Sequence, residues 1–156
     1  MGYLERLQTR IESAGFTTRP GTVNAGIYAD DLNQDHGERA PAIIVHFDAL
    51  EFRKDPEDPH DKQNAYREFT SRIEALRQIL RRSKRAYYEE RIQYYPGLYT
   101  AIIITQADED RLSAAEEERN IFMPVWERVY HETNDGKTAA RAGREAVEAW
   151  KEKKTA

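Results

Sequence analysis

The stretch covering residues 66–105 constrains the fold most, because three different patterns follow one another there without a break. Tyr66, Phe69, Ile73, Leu76 and Leu80 recur at alternating spacings of three and four, the period of one helical face. Its two heptads are too few for a free coiled coil, so this stripe is expected to pack on a sheet. Arg81, Arg82, Lys84 and Arg85 come next, where positive charge complements a helix C-terminus, and the helix is expected to close near Lys84. Then follow Tyr87, Tyr88, Tyr94, Tyr95, Tyr99 and the strand-like run Thr100-Ala101-Ile102-Ile103-Ile104-Thr105, divided by a Pro96-Gly97 pair of the type II turn kind. A β-hairpin over about residues 87–105 is predicted. The alternative is a helix that persists to Gln93 and leaves only the second strand.

Upstream, Leu4, Leu7, Ile11 and Ala14 fall on one helical face, and Gly15 stands where a left-handed residue ends a helix. Pro20-Gly21, Asn24, Gly26, Asn33 and Gly37 punctuate residues 17–39 so densely that surface loop is expected, with at most a short strand around residues 26–29. Ala42-Ile43-Ile44-Val45-His46-Phe47 reads as a buried strand, Pro41 suits its first residue, and pairing is expected to extend to about Phe52. Pro56 and Pro59 make residues 55–61 a loop, with Asp61 placed to cap the following helix.

Downstream of Gln106 the helical period returns, and Asp108-Glu109-Asp110 loads a first turn with negative charge. Pro124 divides this region into two helices or kinks a single one, and Ile121, Phe122, Val125, Trp126 and Val129 form its apolar face. Asn134-Asp135-Gly136 turns the chain into a last helix with Ala139, Ala142, Gly143, Ala146 and Trp150 on one side. Ala142, Gly143 and Ala146 are small enough to admit another backbone, which predicts a tight αα-hairpin with the segment from Phe122 to Tyr130. Residues 151–156 are expected to fray. The expectation is an α+β protein in which a small, mainly antiparallel sheet is covered by helices and followed by a C-terminal helical hairpin. Residues 1–156 form a single domain in this reading, with an α+β core over 1–106 and a helical extension over 107–156.

Charged residues make up 33% and hydrophobic ones 39%, but the apolar residues fall in periodic blocks, which argues against global disorder. A formal charge of −4 is not that of a generally basic nucleic-acid binder, although it permits a local basic patch. With no cysteine, disulfides, thiolate metal sites and a cysteine nucleophile are excluded together. The start Met1-Gly2-Tyr3-Leu4-Glu5-Arg6-Leu7 lacks the apolar core of a secretory signal, and Arg6 breaks the myristoylation pattern. The longest apolar run, residues 40–50, is about half a bilayer span and contains His46 and Asp48. A soluble protein of the cytoplasm or a virion, without membrane partners, is expected.

Catalytic and cofactor motifs are weak. His46, Asp48, Glu51, His60 and Asp61 are close in sequence, yet no spacing matches HExxH, an EF-hand loop or a zinc finger. Asp48, Glu51 and Lys54 suggest the acid-and-lysine set of metal-dependent nucleases, but Glu51 and Lys54 are three apart and would face opposite sides of a strand. Gly136-Lys137-Thr138 is not a phosphate loop, because His131 occupies the position of its first glycine and no strand precedes it. His131-Glu132-Thr133 has the form used by two-histidine phosphoesterases but lacks a second copy. Ser13, Ser71, Ser83 and Ser113 lie in helical patterns without a nucleophile elbow, and no G-x-G-x-x-G occurs. No catalytic residue, metal ligand or cofactor is therefore assigned.

The layout of the first 105 residues, with an amphipathic helix, a glycine-rich loop, a strand opened by Arg39-Ala40-Pro41-Ala42-Ile43-Ile44-Val45, a long helix and a terminal strand, resembles bacteriophage tail-terminator and head-to-tail joining proteins. The resemblance implies a non-enzymatic ring subunit that works through its interfaces, with the last helices as an added docking element. A protein-binding or assembly role, as such a subunit, as a homo-oligomer or as a small inhibitor, is thus the leading expectation. Its surface is placed at Arg81, Arg82, Lys84, Arg85, Tyr87, Tyr88, Tyr94 and Tyr95, since interfaces favour arginine and tyrosine. The same basic patch could instead hold nucleic-acid phosphates, an attraction that Glu89 and Glu90 would partly cancel. A small metal-dependent hydrolase using His46, Asp48, Glu51 and His60 is the third reading.

Overall fold

The structure, a computed structural model, describes residues 2–24 and 39–156. Helix α1 (Tyr3–Ser13) buries Leu7 and Ile11 and ends in Gly15 at φ +95°. The Gly15 N–H donates to Glu12 O (2.9 Å) and the Phe16 N–H to Ile11 O (3.4 Å), so the last carbonyls are satisfied and Phe16 folds back onto Ile11 in the core. The chain then enters strand β1 (Thr18–Asn24), a correction to the loop expected there. Pro20 and Gly21 hid this strand. A Cβ at Gly21 would collide with the end of the Ile44 side chain, so glycine leaves room there for Ile44. The short strand expected around residues 26–29 lies outside the described residues.

Strand β2 (Arg39–Asp48) does not continue to Phe52. The Asp48 carboxylate accepts from the Glu51 N–H at 3.1 Å and winds residues Ala49–Phe52 into a 3₁₀ turn. Helix α2 (Asp61–Arg82) follows, and Asp61 is its first residue, not its cap. Its buried carboxylate faces backwards, accepting from Arg53 Nε (2.8 Å), Lys54 N–H (2.9 Å) and Asp55 N–H (3.0 Å). These donors, with the Asp55 backbone bond the largest influence, hold the carboxyl at about 2, below its ordinary 3.8.

Strands β3 (Ala86–Gln93) and β4 (Leu98–Thr105) form the expected hairpin. Its turn has a cis Tyr95–Pro96 bond and Gly97 at φ +98°. The sheet is antiparallel with strand order β1-β2-β4-β3, and its centre is set by Val45↔Ala101 and Tyr88↔Ile103. One face carries Ile43, Val45, Phe47, Tyr99, Ala101 and Ile103 into a single core with Phe69, Ile73, Leu76 and Leu80 of α2. Burial of each such side chain contributes about 1.5–3 kcal/mol, which is why the stripe decides where α2 lies. Phe47 is the hub, with ring centroids 4.9 Å from Tyr99 and 5.7 Å from Phe69.

The chain divides into two compact units, Met1–Thr22 with Pro41–Glu109, and Val23–Ala40 with Asp110–Ala156. The second contains most of α3 (Gln106–Thr133) and all of α4 (Gly136–Thr155), a helical hairpin. Helix α3 runs unbroken through Pro124. At the turn, Asn134 has φ +52° and Asp135 caps α4, accepting from Lys137 N–H (3.1 Å) and the Thr138 hydroxyl (2.6 Å). The α4 face is turned slightly from expectation: Ala139, Ala140, Gly143 and Val147 are buried, whereas Ala142, Ala146 and Trp150 are half-buried. Residues 151–155 do not fray. They stay helical, with Lys151 3.0 Å from Glu118 and Lys154 3.4 Å from Glu117.

Candidate partner-binding surface

The basic knot forms where α2 runs out and β3 begins. Ser83 is buried at this corner, donating to Ile79 O (2.8 Å) and accepting from Arg10 Nη1 (3.2 Å), so the cations on either side of it are turned outward. Two of the four are occupied: Arg81 Nη1 lies 3.1 Å from Glu74, and the Arg85 guanidinium sits 4.7 Å over the Tyr3 ring. Arg82 and Lys84 are exposed and have no ion pair among the described residues. Much of the knot's charge therefore closes a helix and covers α1.

The tyrosines do not join the cations on one surface. In β3, alternate side chains point to opposite faces. Tyr88 packs against the core, whereas Tyr87 lies on the other face and donates to Glu89 Oε1 (3.0 Å), a bond that raises its pKa. On the core side Glu90 is held by Arg77 Nε (3.0 Å) and by the hydroxyl of fully buried Tyr99 (2.8 Å). Burial first, and this carboxylate second, push the Tyr99 phenol far above its ordinary range. Tyr94 and Tyr95 lie beyond the far end of β3, roughly 25 Å from the knot at ~3.3 Å per residue.

At that far end the structure adds a residue that sequence reasoning missed. Leu50 is 67% exposed, Tyr94 52% and Tyr95 92%, and these are the exposed large hydrophobic residues among those described. They share one junction. The Ala49 N–H donates to Gly97 O at 2.8 Å, tying the 3₁₀ turn to the hairpin tip, and a Cβ on Gly97 would stand 2.7 Å from that of Ala49. Beneath them Tyr66 stacks obliquely on Tyr95, with centroids 6.2 Å apart. Its hydroxyl has no hydrogen-bond partner among the described residues, and burial followed by Tyr95 and Tyr94 raises its pKa. The tip thus exposes aromatic and aliphatic side chains on two segments tied together by a backbone bond. Leu50 was hidden because Ala49–Phe52 reads as the end of a strand.

The carboxylates and histidines are dispersed. Asp61 is committed to Arg53 and two backbone donors, while His46 Nδ1 pairs with Thr100 Oγ1 at 2.8 Å on the sheet face opposite the core. Among the described residues no three metal-ligating side chains gather. A recess of about 200 Å³ beside His46 and Glu51 is walled by Phe16 and Phe52, and its Arg72 lies 4.1 Å over the Phe16 ring. No described helix is long and apolar enough to cross a membrane. In comparisons with protein-family models, curated proteins and solved structures, nothing matches this chain.

Proposed function

We propose that the chain is a non-enzymatic binding protein that meets a protein partner through the tip formed by Leu50, Tyr94 and Tyr95. The observation that carries this reading is that the exposed large hydrophobic residues among those described lie on two segments joined by the Ala49–Gly97 backbone bond. Exposed apolar groups scattered singly need no explanation, but a clustered set rich in tyrosine has the composition of an interface centre. The resemblance in layout to tail-terminator and joining proteins is compatible with this, since such subunits work through interfaces; a small inhibitor is the other form it could take. A photo-crosslinking phenylalanine analogue at Tyr95, in cells that make the protein, should yield a discrete adduct that Leu50→Ser and Tyr94→Ser weaken. The same group at Glu148, on exposed α4 surface, should not. Equal or absent crosslinking at the two positions would remove the tip as a docking site.

The nucleic-acid reading keeps a narrower base. Arg82 and Lys84 remain available, so the patch would neutralise about two phosphates where four had seemed possible, and each lost contact removes nearly one unit of salt-dependence slope.

A further inference from the structure

Strand β3 is an outer strand of the sheet, and among the described residues no strand pairs with its other side; its inward-pointing charge, Glu90, is already held by Arg77 and the Tyr99 hydroxyl. The strand runs for eight residues without proline or glycine and pairs with β4 residue by residue. The phase of that ladder is fixed by the Gln106 N–H donating to Arg85 O at 2.7 Å, with Arg85 opposite Gln106 in the same register. Odd-numbered residues of β3 therefore turn their backbone groups towards β4, and Tyr88, Glu90 and Ile92 turn theirs outward. Their side chains point to the core face, while those of Glu89 and Arg91 are exposed on the other.

We propose that β3 pairs antiparallel with β3 of a second copy of this chain, with Glu90 opposite Glu90. On the face away from the core, the charges favour that register. It sets Glu89 opposite Arg91 twice across the two-fold axis, and Tyr88 opposite Ile92 twice on the core face, with about six new backbone hydrogen bonds. Slipping by two residues one way puts Glu89 against Glu89 and Tyr88 against Glu90; the other way puts Arg91 against Arg91 and Glu90 against Ile92. Glu90 faces its own copy in the favoured register, where each carboxylate is already held by Arg77 and the Tyr99 hydroxyl. Arg91 has no ion-pair partner among the described residues, so nothing need be broken to engage it. The pairing is independent of the tip, which lies past the end of the strand.

Sedimentation velocity of the full chain over a concentration series tests it. The expected species is a dimer in exchange with monomer. Arg91→Glu should weaken it by about tenfold or more, Glu89→Arg likewise, and the double swap Glu89→Arg/Arg91→Glu should restore it, because both sites are exposed and the pair is merely inverted. Tyr95→Ser should leave the dimer intact, which separates this contact from self-association through the tip. A wild-type chain that is monomeric at every concentration, a dimer indifferent to Arg91→Glu, or a double swap that fails to restore it would each overturn the proposal.

Discussion

Replacing Gly143 by alanine sets two effects of known sign against each other. In an exposed helix the change stabilises by about 1 kcal/mol, because alanine loses less backbone freedom. Here a Cβ would stand 2.5 Å from Cδ2 and Cε2 of Phe122, and 3.1 Å from its Cγ. Phe122 is 0% exposed, so its ring cannot swing into solvent to make room. Inserting a methyl into such a contact costs about 1–3 kcal/mol. The expected net result for Gly143→Ala is a loss of about 1 kcal/mol. Phe122→Leu should remove the collision, so that in this background the same change becomes stabilising by about 1 kcal/mol, a coupling of about 2 kcal/mol. Urea unfolding followed by tryptophan fluorescence reads this unit selectively, since the chain's two tryptophans, Trp126 and Trp150, lie on α3 and α4. A single variant more stable than the parent, or two changes that simply add, would show that the hairpin does not pack on Gly143 as described.

Two further outcomes follow from the first unit. Asp61 has a folded-state pKa of about 2 against an ordinary 3.8, so its stabilising contribution is complete above about pH 4 and lost as pH falls towards 2. Asp61→Asn should lower the melting temperature at neutral pH and flatten its decline across that acid window; an unchanged acid limb would contradict the assignment. Tyr99→Phe removes a hydrogen bond to a largely buried carboxylate and should cost about 1.5–3 kcal/mol in denaturant unfolding, whereas Tyr87→Phe, on the more open face, should be nearly neutral.

Where a period of three or four ran for several turns, as from Tyr66 to Leu80, the element and the face it buries were both legible, because burial of that face is what fixes the helix. The hairpin was legible for a similar reason, its alternation interrupted once by Pro96-Gly97. Strand β1 was not, because a proline and glycine that usually end structure here serve an outer strand and a close approach to Ile44. The rotated face of α4 shows a different failure: Ala142 and Ala146 looked like contact residues because they are small, yet the depth of Phe122 selects Ala140, Gly143 and Val147. As for the candidate surface, contiguity in sequence suggested contiguity in space. An extended strand carries its two ends apart, so the cations and the tip tyrosines that read as one patch are separated, and the turn that holds Leu50, distant in the chain, is tied to the hairpin tip by the Ala49–Gly97 bond.

The two outer strands of the sheet differ in a way that bears on stoichiometry. β1 contains Pro20, which has no N–H to offer a neighbour and is tolerated in a sheet only where that side faces solvent. β3 has no such interruption. A chain able to extend its sheet along one side only has a valence of one. Two copies joined through β3 would leave a β1 at each end of the combined sheet, and further growth would stop there. Such a pair would be closed, its mass reaching a plateau as concentration rises, and Pro20 would guard it against the open-ended polymerisation that an uninterrupted strand on both sides would invite.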